Sequence, residues 1–151
     1  MSLKGWLDNH WLVAHAATEQ EIADLFAVVD RDLGDAAIPR LSDDWRLGIT
    51  YNAALQLATI ALAAEGYRAG RERHHERTIL SLRETAGIAQ KTVDLLDVVR
   101  RKRNQANYEV AGSTSAREAE ELYKVVEELR SDVVRWLRKR HASLCPPEVK
   151  P

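Results

Sequence analysis

The sequence predicts an all-α fold, a four-to-five-helix up-and-down bundle. Three observations carry that expectation. Apolar residues recur at three- and four-residue spacing along most of the chain, and no run sustains the two-residue alternation of a half-buried strand. Gly and Pro are sparse, 7 and 4 of 151 residues, and fall between the periodic stretches. Capping signatures stand where periodic stretches begin: Thr18 with Glu21, and Ser115 with Glu118, have the spacing at which each side chain can satisfy a free N–H of a first helical turn.

The elements follow in order. Residues 3–13, with Trp6, Leu7, Trp11 and Leu12, are expected as a short leading helix. A helix from Thr18 carries Ile22, Leu25, Phe26, Val29 and Leu33 at helical spacing, with Gly34 as its natural stop. The next runs from Ser42-Asp43-Asp44 to about Glu65. Its apolar residues cover nearly every face, which places it at the centre of the bundle, and its many alanines let neighbours approach closely. A third helix is expected over 72–85 with Ile79 and Leu82 inward, ended by Gly87. A fourth runs from about Ala89 through Val99 into a basic run. Residues 109–113 read as a loop. Ser115 opens a long last helix striped by Leu122, Val125, Val126, Leu129, Val133 and Leu137. One domain over 1–142 and a flexible tail over 143–151, where Pro146, Pro147 and Pro151 block a helix, complete the expected organisation.

Composition narrows the function classes. Hydrophobic residues are 45% and charged residues 30% of the chain, with a net charge of -1, which excludes wholesale disorder. A single cysteine, Cys145, excludes a disulfide scaffold and a zinc finger. No signal-peptide layout opens the chain, and the apolar stretch 53–64 is short and interrupted by Gln56 and Thr59, so no membrane span and a cytoplasmic location are expected. The charge is unevenly spread. Residues 1–67 hold 4 basic and 10 acidic side chains, whereas 68–151 hold 18 basic and 13 acidic ones, densest at 68–77, 100–103 and 135–140. Such a split steers a polyanion to one side of a molecule, although cations near helix C-termini are also ordinary.

Arg100, Arg103, Asn104, Asn107 and Tyr108 form the main candidate site. At about 100° per residue they share one stripe spanning roughly 140°, bordering the apolar face of Leu95, Leu96 and Val99. Guanidiniums, carboxamides and a phenol at such a border suit phosphate and hydroxyl binding; equally, they can cap carbonyls and hold the following loop. His74 and His75 are the second candidate. Adjacent on a helix, they cannot chelate one metal, and proton transfer is the role open to them. No metal is expected, because His10 and His15 also lack companions at ligand spacing, and no phosphate-binding glycine loop, dinucleotide fingerprint or nucleophile elbow points to a cofactor. Trp6, Trp11, Trp45 and Trp136 are expected as core or interface anchors, apart from the basic run.

Taken in order, Leu41-Ser-Asp-Asp-Trp-Arg, Tyr51-Asn-Ala-Ala-Leu-Gln-Leu-Ala, Gly66-Tyr-Arg, His74-His75 and Arg100-Arg-Lys-Arg-Asn-Gln-Ala-Asn-Tyr108 resemble the HEPN superfamily over about residues 18–140, with an Arg-Asn-x-x-x-Tyr ending on the fourth helix. The resemblance implies a helical bundle that is usually a homodimer. In active members an Arg, a polar residue and a His form a metal-independent ribonuclease site across the dimer cleft. Arg103 and Asn104 match the first two, and Tyr108 stands where the His would be. A phenol ionises near pH 10 against about 6.5 for imidazole, so it is a poor base at neutral pH. The resemblance therefore implies binding of RNA, a nucleotide or a protein partner through a polar groove, without efficient cleavage. A metal-independent endoribonuclease of a toxin–antitoxin system, with Arg103, Asn104 and Tyr108 catalytic, is one alternative; a purely structural interaction module is another. A separate nucleotidyltransferase partner is implied by the family pairing.

Overall fold

The computed structural model describes residues 2–104 and 112–151. Among these residues the fold is an all-α bundle with one small two-stranded sheet. Six α-helices are described: α1 (Leu3–Asp8), α2 (Glu19–Ala36), α3 (Asp43–Ala64), α4 (His74–Leu80), α5 (Gln90–Asn104) and α6 (Ala116–Arg140). The strands are β1 (Leu12–Ala14) and β2 (Tyr67–Ala69).

Helix α3 is the hub. It packs against α2, α4, α5 and α6, and 14 of its 22 residues are buried. Ala53, Ala54, Ala58 and Ala61 are wholly enclosed, so the small side chains let neighbouring helices come close, as the sequence implies. By length and composition α3 could cross a bilayer, yet its apolar faces are covered by the other helices. Ser42 caps it, accepting from Trp45 N at 3.2 Å.

The capping signatures hold with one difference. Ser115 and Glu118 form the reciprocal box at the start of α6. Thr18 accepts from Glu21 N at 3.1 Å, but the Glu21 carboxylate turns instead to His15, whose Nε2 lies 2.7 Å from Oε2. Gly34 does not stop α2, which runs on to Ala36. Burying Ala36 completely offsets the roughly 1 kcal/mol that a helical glycine costs.

Four further expectations are corrected. The leading helix ends at Asp8. Residues 12–14 then pair antiparallel with 67–69, Leu12 opposite Ala69, where no strand is expected. Strands of three residues are too short to show alternation; they form because Trp6, Leu12, Leu62 and Ala69 bury one another in a satellite core. The third helix is shorter than 72–85: α4 gives way to a 3₁₀ turn, Ser81–Arg83. Thr78, Ser81 and Thr85 direct their hydroxyls back to the carbonyls of His74, Thr78 and Ser81, which competes with regular helix and tightens the turn. Of the tryptophans expected as core or interface anchors, Trp6 is buried in the satellite core, whereas Trp45 is 66% exposed and outside the core. The segment 143–151, expected to be frayed, lies against the bundle. Cys145 and Val149 are buried in the main core, and Arg130 donates to Lys150 O at 2.6 Å while Arg138 donates to Val149 O.

Candidate functional site

The basic end of α5 meets α4 and the middle of α3. Val93, Leu96 and Val99 are the buried stripe of α5. Arg100 and Arg103 lie one helical turn beyond Leu96 and Val99, so their stems border the core and their guanidiniums reach its edge. That placement is the one the sequence spacing implies, and it brings the two arginines to different ends.

Arg100 is committed to its neighbours. Its side chain is 14% exposed, and its Nε donates to Asp97 Oδ1 at 2.8 Å. Its Nη2 is 3.8 Å from Glu76 Oε1 on α4. The Asp97–Arg100 pair has ordinary three-residue helical spacing and was legible in the sequence; the reach to Glu76 was not. Arg100 therefore acts as a tie between α4 and α5.

Arg103 has no carboxylate partner among the described residues. Its Cζ sits 5.3 Å from the ring centroid of Tyr51, within cation–π range. Tyr51 is 1% exposed, and its hydroxyl has no hydrogen-bond partner among the described residues. Burial pushes this phenol up to about 12, against the opposing pull of Arg100 and Arg103. It stays protonated throughout the physiological range and is a hydrogen-bond donor waiting for an acceptor. Sequence reasoning missed it. The available signal was a lone polar-tipped aromatic in a helix otherwise apolar on that face.

His75 completes the described cluster. It is exposed at the start of α4, and its pKa is lowered by partial burial, then by His74, Arg103 and Arg100. The imidazole thus senses the two guanidiniums across the α4–α5 junction, so α4 does face the basic end of α5. His74 points differently. Its Nδ1–H donates to Gly70 O at 3.2 Å, and its ring stands 5.8 Å from that of His75 at 64°. The two histidines are launched by Arg73, a non-glycine residue in left-handed backbone at φ 50°. Such conformations persist only where the surroundings enforce them.

Asn104 closes α5. Asn107 and Tyr108 lie outside the described residues. The described residues on either side of them make their own contacts. Before them, Lys102 Nζ donates to Ser113 O at 3.0 Å and pairs with Glu118 Oε2 at 2.9 Å. After them, Gly112 N and Thr114 N donate to Asp44 at 2.8 and 3.1 Å, and these bonds hold the Asp44 carboxyl below its usual range.

Hollows lie elsewhere on the described surface. One, about 680 Å³, runs between the start of α5 and α6, past Ile88, Leu95, Val125 and Leu129. The second, about 230 Å³, lies between α2, α3, β2 and α4. Among the described residues no three His, Cys, Asp or Glu side chains converge as a metal site. Comparison with family models, curated proteins and solved structures finds no significant match.

Proposed function

We propose that this chain is a HEPN-like helical protein of the cytoplasm that binds a phosphate-bearing ligand, RNA or a nucleotide, at the α4–α5 junction, without efficient cleavage. One observation carries the reading: the Arg103 guanidinium, free of any carboxylate among the described residues, lies over a buried tyrosine whose hydroxyl is unpartnered. A phosphate oxygen set between them would receive a charge-assisted bond from Arg103 and satisfy Tyr51. Arg100, tied to Asp97 and Glu76, supplies field rather than contact. The family resemblance would add Asn104, Asn107 and Tyr108 to the ligand-binding set. The homodimer and the separate nucleotidyltransferase partner that the resemblance implies belong to this proposal too.

A second reading has an observation in its favour. His75, made less basic by its surroundings, is neutral at pH 7 and able to accept a proton beside Arg103. That is the property an endoribonuclease with Tyr108 in the usual His position would need from another residue.

Fluorescence anisotropy with a labelled single-stranded RNA decides between these readings and a structural role. The Arg103→Ala protein should bind roughly ten- to a hundredfold more weakly, the worth of a charged hydrogen bond. Wild-type affinity should fall as salt rises. Equal affinity of the two proteins, or none in either, would remove the phosphate site. RNA cleavage that survives chelator and disappears in His75→Ala would promote the second reading.

A further inference from the structure

The hollow of about 230 Å³ between α2, α3, β2 and α4 belongs to none of the functions argued above. Its walls include Leu25 of α2, Leu62 and Ala63 of α3 and Ala69 of β2, an apolar floor contributed by three separate elements. It is larger than the roughly 150 Å³ apolar cavity that admits benzene, and smaller than the roughly 300–1,000 Å³ of drug-sized sites. That interval fits one six-membered ring with a short substituent.

The polar residues around it are unequal in charge. His15 and Glu21 face each other, Nε2 lying 2.8 and 2.7 Å from the two carboxylate oxygens, so the one acid of the lining is already engaged. Arg68 is exposed and has no carboxylate partner among the described residues. With Glu21 engaged, the uncompensated group is a guanidinium, whose forked N–H donors match a carboxylate. His74 contributes a ring whose Nδ1–H is spent on Gly70 O. An apolar hollow of single-ring size, with a spare guanidinium at its wall, discriminates for an aromatic acid.

We propose that this hollow is a binding site for a small single-ring aromatic carboxylate, the ring on the Leu62–Ala63–Ala69 floor and the carboxylate on Arg68. The site is independent of the α4–α5 junction. Benzoate and uncharged benzyl alcohol are the probes, each titrated into the full-length ¹⁵N-labelled protein while amide shifts around Ala63 and Ala69 are followed. Benzoate should bind about tenfold or more tightly than benzyl alcohol, the range expected for one charged hydrogen bond. Arg68→Gln, a substitution at an exposed side chain, should erase that preference while leaving the fold intact. Ala63→Leu, which fills the floor, should abolish binding of both probes, with helicity by circular dichroism confirming the fold. Arg103→Ala should leave benzoate binding unchanged, which separates this site from the phosphate site. Absence of shifts near Ala63 and Ala69 with benzoate, or a benzoate preference that persists in Arg68→Gln, would overturn the proposal.

Discussion

At Tyr51 a polar atom is buried without a partner among the described residues, and an orphan of that kind is costly in a folded protein, by about 1–3 kcal/mol. Tyr51→Phe removes the orphan hydroxyl and keeps the ring beneath Arg103. The variant should melt at the same temperature as the wild type or higher, and should bind RNA more weakly, as thermal denaturation and anisotropy will read. A lower melting temperature would mean that the hydroxyl serves the fold instead. His75 offers a second single-residue measurement. Its folded pKa lies below the ordinary value near 6.5, so the unfolded chain takes up the proton first as pH falls. Its contribution therefore destabilises the fold progressively as pH drops below about 6.5 and vanishes above it. Proton NMR of the ring should give a midpoint below that of a model peptide. Arg103→Ala should bring it only partway back, because burial is the largest cause. These residue-scale properties arise where α3, α4 and α5 meet, which sequence spacing alone does not reveal.

Elements were largely legible where a side chain reports on its own turn. Ser42, Thr18 and Ser115 each cap the helix that their sequence context predicts. Ser115→Ala should lower stability by about 1 kcal/mol, measurable by urea denaturation, because it opens the box at the start of α6. Legibility failed where two elements hold one another. The residues leading into α6 are held by Asp44, some seventy residues away, through the N–H groups of Gly112 and Thr114. No local pattern marks that carboxylate as anything beyond a helix-start acid. Asp44→Asn should weaken the hold on Gly112 and Thr114 and lower the melting temperature. Because the folded carboxyl ionises below its usual range, its stabilising contribution is present above the unfolded pKa, near 3.9, and lost as pH falls through the folded one. The wild-type and Asp44→Asn melting temperatures should thus converge in acid.

The whole molecule is one main core around α3 with a satellite core beneath the small sheet. The C-terminal segment belongs to that main core through Cys145 and Val149. Arg130 fastens it: the guanidinium holds Asp30 of α2 at 2.7 Å and Lys150 O at 2.6 Å, and lies 5.8 Å from the Phe26 ring centroid. Removing residues 143–151 should therefore lower the melting temperature and uncover apolar surface between α2 and α6, detectable as increased binding of a hydrophobic dye. An unchanged melting temperature would show that the segment rests on the bundle without supporting it. Prolines signalled correctly that residues 146–151 are not helical; they carried no information about whether an extended segment is docked.

The sequence by itself determined the helical class, the central place of α3, the caps and the border position of Arg100 and Arg103, because each depends on periodicity or on contacts within one turn. Tertiary structure alone decided that Arg100 is spent on Asp97 and Glu76 while Arg103 is left over Tyr51, that α4 turns His75 toward them, and that β1 finds β2. Those outcomes rest on contacts between residues far apart in the chain. A side chain's local pattern fixes which face it occupies, but only the packed neighbour fixes what that face meets.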